Sequence, residues 1–394
     1  MGFRLHRPAD GCSLIEGEAL AALRVFPENR FDSCVSDGPY ELGFIGKGWD
    51  STGIVNSVEF WREVLRVMKP GAHLLSFGGT RTYHRMVCAV EDAGFEIRDS
   101  LHWFYGTGFP KSKTANSGMP DGQGTALKPG HEPIVMARKP LDGTLAKNIA
   151  KWGTGGLAID ACRLGRDDID PSREGEEPRT NGVTSFRPEA GPRGGNRLGR
   201  WPANVLLDEA AAAELDEQSG ATGARAPVRG TEPSAAVERG SITNSRARVP
   251  GAFHADSGGA SRFFYVAKPS RKERDQGCDH LPMKSGGEAT EREDGSAGTQ
   301  NPRAGAGRNG GARNFHPTVK PVSLMRYLVR LVTPLPTHNV LDPFTGSGTT
   351  GIGAALERRQ FCGIESAPEY AEIAKARIAD FASYADGEFE ERAA

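Results

Sequence analysis

The sequence lacks any continuous apolar run that approaches the roughly 18 residues a membrane-spanning helix requires. Its first residues, 1–6, also lack the apolar core of a secretory signal peptide. Both absences argue against a membrane-embedded or secreted protein, and they lead us to expect a cytoplasmic one.

Cysteine is scarce, with six residues among 394, and no two of them form a Cys-x-x-Cys pair. A disulfide framework is therefore not indicated, and reduced thiols are the expectation. Cys278 and His280 make one metal half-site, but no second pair of ligand residues accompanies them. We therefore expect no bound metal.

Neither sign of charge dominates, since 49 Lys and Arg residues face 50 Asp and Glu residues, for a net charge of −1. The protein as a whole is not a polycation, so any surface for nucleic acid has to be local. The length of 394 residues allows two domains or one large domain with an insertion.

Short apolar strands alternate with amphipathic helices over residues 13–140 and again over 315–384. The predicted strands are 13–15, 31–36, 72–77, 95–103, 133–137, 340–341 and 360–365. The predicted helices are 19–25, 58–68, 82–93, 322–332, 349–356 and 368–384. Such alternation is typical of a doubly wound parallel sheet.

Residues 141–314 interrupt this alternation, because Gly, Arg, Pro and Ser are frequent there. Segments 156–162, 201–215 and 263–267 are predicted to be ordered, and 285–314 is typical of a flexible linker. Two arginine-rich runs comprise Arg187, Arg193, Arg197 and Arg200, and Arg225, Arg229, Arg239, Arg246 and Arg248. By themselves these runs indicate a solvated surface, and only the flanking motifs favour contact with nucleic acid.

A glycine-rich turn follows one of the predicted strands. Asp342 stands at the carboxyl end of that strand, Gly346 and Gly348 allow a tight turn, and a helix begins at Thr349. The next strand ends in Glu365, where a carboxylate can accept hydrogen bonds from ribose hydroxyls. The turn lacks both the Walker lysine and a full Gly-x-Gly-x-x-Gly pattern. It therefore predicts a nucleoside site at the carboxyl edge of a parallel sheet.

A second acid at a strand end opens the tetrapeptide Asp37-Gly38-Pro39-Tyr40. This tetrapeptide resembles the Asp-Pro-Pro-Tyr catalytic motif of the amino DNA methyltransferases that use S-adenosylmethionine (SAM). A Lys-Pro-Gly turn, a variable middle, a His-Pro-Thr-Val-Lys-Pro sequence at 316–321 and the Asp-Pro-Phe-x-Gly-x-Gly turn follow in that order. The order resembles the permuted beta class, which methylates adenine N6 or cytosine N4 and whose catalytic half comes first.

The resemblance implies a Rossmann-like α/β fold with circularly permuted motif order, in which helices flank a mostly parallel central sheet. It divides the chain into a catalytic half (1–140), a target-recognition insertion with a flexible linker (141–314) and a SAM-binding half (315–394). If the two motif-bearing strands lie side by side, Asp37 and Gly346 line one pocket.

The resemblance also implies a chemical role for each residue of the tetrapeptide. Asp37 and the carbonyl of Gly38 would accept hydrogen bonds from the exocyclic amine of a flipped base, which frees the nitrogen lone pair. Pro39 would stiffen the turn, Tyr40 would stack on the base, and Trp103 would help to clamp it. Gly38 replaces the usual proline, which keeps the carbonyl but loosens the backbone.

By the same resemblance, residues of both halves would bind SAM. Glu365 would hold the ribose, and Glu18 would read the adenine amino group. Thr318 and Lys320 would approach the SAM carboxylate. The remaining members of the implied SAM site are Asp342, Phe344, Gly346, Gly348 and Thr349.

We therefore expect a site-specific methyltransferase that acts on double-stranded DNA, and aspartate rather than serine at position 37 favours adenine N6. Cytosine N4 is the alternative, followed by an RNA or protein-amide methyltransferase and by a nucleotide-binding regulator without activity. The chain shows no nuclease or helicase motif, which suits a bacterial or phage-encoded enzyme that acts alone or beside a separate restriction enzyme. A homodimer would fit a palindromic target, but the sequence does not decide this.

Overall fold

The computed structural model of the protein describes residues 2–42, 48–106, 108, 120, 123–165, 199–221, 258–267, 272–285, 288 and 311–384. The chain forms two compact units. Unit 1 consists of Met1–Cys162, Asn204–Ala211 and Val266–Ala394, and unit 2 consists of Arg163–Ala203 and Ala212–Tyr265. Within the described ranges, no helix has both the length and the apolar character needed to cross a membrane.

Ten described strands form one sheet. They are β1 (Arg4–Ala9), β2 (Cys12–Glu16), β3 (Phe31–Ser36), β4 (Met68–Phe77), β5 (Glu96–Phe104), β6 (His131–Arg138), β7 (Val205–Asp208), β8 (Tyr265–Ala267), β9 (Asn339–Asp342) and β10 (Gln360–Glu365). Their order is β1-β2-β10-β9-β3-β4-β6-β5-β7-β8. Strands β2, β10, β9, β3 and β4 are parallel to their neighbours in this run, and so are β5 and β7.

Helices connect these strands and cover the sheet. They are α1 (Ala19–Val25), α2 (Val58–Val67), α3 (Tyr83–Asp92), α4 (Leu145–Trp152), α5 (Glu209–Ser219), α6 (Val322–Val332), α7 (Thr349–Leu356) and α8 (Pro368–Ala382). Helices α1, α2 and α3 pack in sequence, as do α6, α7 and α8.

Side chains alternate between the two faces of the sheet, and each face has its own helices. Cys34 and Leu74 are paired in register, and both belong to a core that α1, α2 and α3 complete. On the opposite face, Leu14 packs against Ala371 and Ala374 of α8. The sheet is therefore covered on both sides, as the alternating pattern predicts.

The local sequence determines where helix α2 begins and which of its faces is buried. Phe60, Trp61 and Val64 are fully buried and form its apolar face. Ser57 caps the helix by accepting a hydrogen bond from the Phe60 N–H at 3.4 Å. Because the Trp61 Nε1–H donates to the Val55 carbonyl at 2.8 Å, the segment before the helix is held in place as well.

The predicted fold class is confirmed, since the sheet is mixed α/β, most of its described pairings are parallel, and helices flank it. Within 13–140 the parallel arrangement is interrupted at β6, which runs antiparallel to both β4 and β5. The sequence also does not predict β1, an edge strand antiparallel to β2. Half of its residues are exposed and none is buried, so the strand lacks the alternation of apolar and polar side chains that marks a strand in the sequence.

The structural boundary of the inserted region differs from the predicted boundary at 141. Helix α4 belongs to unit 1, because the buried Asn148 donates hydrogen bonds to the carbonyls of Pro70 (3.0 Å) and Thr154 (2.8 Å). Strand β7 also belongs to unit 1, since it pairs in parallel with β5. Strand β7 lies within the segment 201–215 that is predicted to be ordered, although the sequence does not predict its strand conformation. The sequence misses α4, which is short and isolated in a polar, glycine-rich region.

The predicted linker at 285–314 is ordered at its end. Lys284 and Ala312 form an antiparallel bridge, and the buried Asn314 donates from its side chain to the Arg274 carbonyl at 2.8 Å. Most of the predicted linker lies outside the described residues, and so does every arginine of the two predicted runs except Arg200.

Candidate functional site

Two parallel strands from the two ends of the chain lie side by side and carry the two predicted motifs. In β3 and β9, Cys34 is in register with Leu341, and the Ser36 hydroxyl donates to Asp342 Oδ1 at 2.7 Å. Asp37 and the turn around Gly346 therefore meet at the same sheet edge. Together they line one cavity of about 620 Å³, as the sequence predicts.

Most of the predicted site residues line this cavity, and two do not. The lining set is Glu18, Asp37, Gly38, Pro39, Tyr40, Thr318, Lys320, Asp342, Phe344, Gly346, Thr349 and Glu365. Gly348 and Trp103 lie outside it. The functional role of each lining residue stays a prediction.

The glycine-rich turn has a conformation that requires glycine at Gly346. Its φ is +54°, and a Cβ there would lie 2.9 Å from Nε2 of His316. Its N–H donates to Glu365 Oε2 at 2.8 Å, which ties the turn to the end of β10. The wall of the cavity at this point is consequently a rigid stretch of backbone.

The structure corrects the prediction for Gly348, which packs against α8 instead of lining the cavity. Its φ is +85°, and a Cβ there would meet the Ala374 backbone at 2.9 Å. Gly348 also stands at the N-terminus of α7. This glycine allows α7 and α8 to approach closely, and a short sequence motif does not separate that need from ligand binding.

Two acids of the SAM-binding half, the buried Asp342 and the half-buried Glu365, have raised pKa values. Burial raises the pKa of Asp342 to about 6, although hydrogen bonds from Thr350 and Ser36 lower it in part. Burial likewise raises the pKa of Glu365 to about 7, and hydrogen bonds from the N–H groups of Ala367 and Gly346 offset only part of this. Glu365 Oε2 accepts the N–H of Gly346 and Oε1 accepts the N–H of Ala367, each at 2.8 Å, and the Ser366 N–H contributes a further backbone hydrogen bond.

Glu18 is exposed and already has a structural task. Its carboxylate caps α1 by accepting hydrogen bonds from the N–H groups of Leu20 (2.9 Å) and Ala21 (2.7 Å). Phe344 also has a structural contact, since its ring lies 5.1 Å from that of Phe60. Both side chains face the cavity as well, so a ligand role remains compatible with their positions.

The tetrapeptide is held in place by an acid that the sequence does not single out. Asp50 is buried and accepts hydrogen bonds from the N–H groups of Tyr40 (2.7 Å) and Glu41 (3.0 Å). The Thr82 hydroxyl donates to the Tyr40 carbonyl at 2.6 Å. The backbone loosened by Gly38 is thus fixed from the far side of the loop.

The ammonium of Lys320 contacts the tetrapeptide and Glu132, and its predicted approach to the SAM carboxylate stays a prediction. Its Nζ lies 2.7 Å from Asp37 Oδ2, 3.1 Å from Glu132 Oε2 and 3.2 Å from the Tyr40 hydroxyl. The Tyr40 hydroxyl itself donates to Asp37 Oδ1 at 3.1 Å and is 2.9 Å from Glu132 Oε2.

Burial and mutual charge shift the pKa values in this cluster. Burial raises the pKa of Asp37, Lys320 lowers it, and Glu132 raises it again, with a net rise. Burial lowers the pKa of Lys320, but Asp37 and Glu132 outweigh this and raise it above its usual range. Burial raises the pKa of Tyr40, and both carboxylates add to this rise. Lys320 is therefore an ammonium and Tyr40 a neutral phenol at neutral pH.

Among the acidic, basic and histidine side chains that line the cavity, the sequence reasoning misses three: Glu132, Asp50 and His316. Burial lowers the pKa of His316 to about 3, and Arg274 and Lys320 add to this, so the ring is neutral. His316 opens the predicted motif at 316–321, which was the available signal. Glu132 and Asp50 are single acids without a motif, and no local pattern indicates them.

Trp103 lies on β5 directly opposite Glu132 of β6 but does not line the cavity. Its ring packs 5.4 Å from that of Tyr105, and its buried Nε1–H has no hydrogen-bond partner among the residues that the structure describes. Its role as a clamp for the base stays a prediction.

The half-site predicted from Cys278 and His280 gains no further ligands. Cys278 is buried in a small apolar cluster with Phe315 and Tyr370. Among the residues that the structure describes, no three His, Cys, Asp or Glu side chains are grouped as metal ligands.

Comparison with known proteins identifies relatives of parts of the chain. Type II methyltransferase M2.LlaDCHI of Lactococcus lactis subsp. cremoris is 44% identical over 69 residues, which are 18% of this chain and 25% of that protein. DNA adenine methyltransferase YhdJ of Escherichia coli (strain K12) is 42% identical over 73 residues, or 18% of this chain and 24% of that protein. The chain thus spans about a quarter of the length of these curated relatives.

Solved structures match over nearly the whole chain but loosely. The M1.HpyAVI–SAM complex covers 93% of this chain and 98% of its own, at 15% identity and a TM-score of 0.41. PvuII DNA methyltransferase, described as cytosine-N4-specific, covers 97% and 91%, at 15% identity and a TM-score of 0.43. These TM-scores are too low to support a structural argument, so the assignment depends on sequence. The sequence profile of the N6/N4 DNA methylase family matches residues 31–376, and the chain therefore belongs to that family.

Proposed function

We propose that the protein transfers a methyl group from SAM to the exocyclic amine of a flipped base in double-stranded DNA, most specifically to adenine N6. One observation carries this proposal. Asp37, a candidate acceptor for the amine, and the nucleoside turn at Gly346 line the same cavity. A nucleotide-binding regulator would need only the second of these features.

The cavity fits SAM, the cofactor of this family. Gly346 brings bare backbone to the wall where a Cβ would collide with His316. Glu365 lines the cavity as a candidate acceptor for the ribose hydroxyls, and Phe344 supplies an apolar surface. When bound, SAM supplies a methyl group on a positively charged sulfur.

The residues of the catalytic half perform the positioning that the amine requires. The amine lone pair is conjugated into the base and is a poor nucleophile. Asp37 and the Gly38 carbonyl would accept its two hydrogens and localise that lone pair. The backbone clamp by Asp50 and the contacts of Lys320 and Tyr40 hold the carboxylate in one orientation, so little reorganisation is needed.

Two features favour adenine N6 over cytosine N4. Position 37 is an aspartate, whereas serine is the residue associated with the N4 alternative. One relative is described as a DNA adenine methyltransferase, although only 18% of this chain is matched to it. Within this proposal, unit 2 contributes to target recognition, and a separate restriction enzyme is a candidate partner.

The test uses SAM with a labelled methyl group and three acceptors: duplex DNA, structured RNA and a protein mixture. We expect label in the DNA alone, and mass spectrometry of the hydrolysed DNA should show N6-methyldeoxyadenosine. N4-methyldeoxycytidine in its place would overturn the adenine assignment. Label confined to RNA or protein would overturn the DNA substrate.

A further inference from the structure

A further acid, Glu132, lies close to the predicted catalytic carboxylate of Asp37 and shares its contacts with Tyr40 and Lys320. Glu132 Oε2 lies 2.9 Å from the Tyr40 hydroxyl and 3.1 Å from Lys320 Nζ. The same two groups contact Asp37, Tyr40 at Oδ1 (3.1 Å) and Lys320 at Oδ2 (2.7 Å). Asp37 and Glu132 are therefore bridged twice, once by a phenol and once by an ammonium.

The cluster contains more negative charge than a structural role requires. Its exposed side-chain fractions are only 17% for Asp37, 21% for Glu132 and 7% for Lys320. Placing a second carboxylate beside a buried one is unfavourable, because like charges repel more strongly away from water. A neutral amide oxygen at position 132 could accept the same two hydrogen bonds without that cost.

We infer that Glu132 is a positioning residue for methyl transfer, because it holds Lys320 and Tyr40 so that Asp37 keeps its capacity to accept a hydrogen bond from the amine. The inference rests on the proposed function, since it concerns the group that would receive the substrate. No motif and no predicted role includes Glu132.

The physical reason is the sharing of one positive charge between two acids. If Lys320 served Asp37 alone, the pair would be nearly neutral, and the carboxylate would attract a further donor only weakly. With Glu132 present, the ammonium is held between the two acids, so Asp37 receives only part of its attraction. The Tyr40 hydroxyl is also directed to both acids, which fixes the plane of the ring.

The inference makes a directional prediction for the pH profile. The charged or titratable groups that face Asp37 are Lys320, Tyr40, Glu132 and Asp342. Glu132 is one of the groups that raise the Asp37 pKa, so its neutral replacement should lower that pKa. The acid limb of the kcat profile should then move to lower pH by about one unit, while kcat at its maximum falls about tenfold or more.

The experiment compares wild type, Glu132→Gln and Glu132→Asp with two readouts. The first is kcat and KM for duplex DNA across pH. The second needs no turnover: ¹³C NMR titration of aspartate carboxyls, with the Asp37 signal assigned by its loss in Asp37→Asn. We expect Glu132→Gln to lower both the Asp37 titration midpoint and kcat, with SAM affinity unchanged. Glu132→Asp keeps the charge and should restore the midpoint and most of kcat.

The outcomes separate the inference from the proposed function. If the wild type methylates DNA and Glu132→Gln has the same Asp37 titration midpoint and the same kcat as the wild type, only the inference is overturned. Equal loss of kcat in Glu132→Gln and Glu132→Asp with no shift in midpoint indicates a merely structural role and also overturns it. If Glu132→Gln does not fold, Glu132→Ala provides the neutral replacement with the same expected midpoint. A wild type without transfer to any DNA overturns the proposed function, and the NMR titration still decides whether Glu132 governs Asp37.

Discussion

Both carboxylate oxygens of Asp37 accept a hydrogen bond from a neighbouring side chain, Tyr40 on one and Lys320 on the other. These contacts determine the direction in which the acid faces and how strongly it attracts a donor. A sequence motif specifies that an acid is present, but only the three-dimensional surroundings specify its strength.

Replacement of Asp37 by alanine should abolish catalysis while sparing cofactor binding. We expect Asp37→Ala to lower methyl transfer at least about a hundredfold, the scale for losing a positioned catalytic group. The dissociation constant of SAM, measured by calorimetry, should change by no more than a few-fold. The residues expected to bind SAM are the glycine-rich turn after β9 and Glu365 at the end of β10. Asp142→Ala is a suitable control, since Asp142 is an exposed acid outside the cavity. Retained activity in Asp37→Ala would remove the catalytic assignment.

Glu365 should make SAM binding dependent on pH near neutrality. Burial raises its pKa to about 7, and the ionised carboxylate is the better acceptor for ribose hydroxyls. Affinity should therefore strengthen as pH rises from about 6 to about 8, and Glu365→Gln should bind more weakly with a flatter profile. The same raised pKa means that the stability contributed by this group is present below its unfolded pKa and is lost as pH rises through about 7. Calorimetry across this range gives the affinity, and an unchanged wild-type affinity would contradict the assignment.

The connection between α7 and α8 depends on backbone contact that only a small residue permits. Gly348 begins α7 with a φ of +85°, and its Cα faces the Ala374 backbone of α8. The glycine-rich turn thus has two functions within three residues. Gly346 shapes the cavity, whereas Gly348 lets the two helices pack.

Substitution at Gly348 should destabilise the fold more than its unfavourable φ alone explains. Gly348→Ala adds a collision with backbone to the strain of a left-handed conformation, so we expect a loss of about 2–4 kcal/mol in the free energy of unfolding. Gly53→Ala is the matched control, because its φ is +74° and the space around it is open, so about 1 kcal/mol is expected. Denaturant unfolding measures both, and equal losses would show that the helix contact does not matter.

Local patterns predict many of the elements with their bounds, including α1, β3, α6 and β10. Each has an apolar face of the correct period and a clear start or stop. The pattern fails where apolar periodicity is absent, as in β1, or where strand direction is set by distant partners, as in β6. Contacts such as that of Lys320 with Asp37 join residues 283 positions apart, and no spacing rule predicts them. The same holds for Glu132 and Asp50.

Unit 1 is built from the two ends of the chain, and its cavity exists only because β3 and β9 are neighbours. The Ser36–Asp342 hydrogen bond and the Lys320–Asp37 ion pair both join these ends. Binding of a ligand in the cavity should therefore stabilise both ends together.

Thermal unfolding with and without SAM tests this coupling. At a SAM concentration about 100 times its Kd, binding should add about 2.7 kcal/mol and raise the melting temperature by a few degrees. Asp37→Ala should keep this rise, whereas Glu365→Ala should lose most of it. A rise that is lost in Asp37→Ala and kept in Glu365→Ala would contradict the division of the cavity into two functional halves.

The most direct test of the account is methylation-sensitive sequencing of DNA from cells that carry the gene, an Asp37→Asn variant or neither. The account predicts a new modified adenine at one sequence motif with the wild-type gene, and none with the variant or without the gene. This result would report the base, its position and the motif together. Unmodified DNA in all three, despite folded protein that binds SAM, would contradict the account.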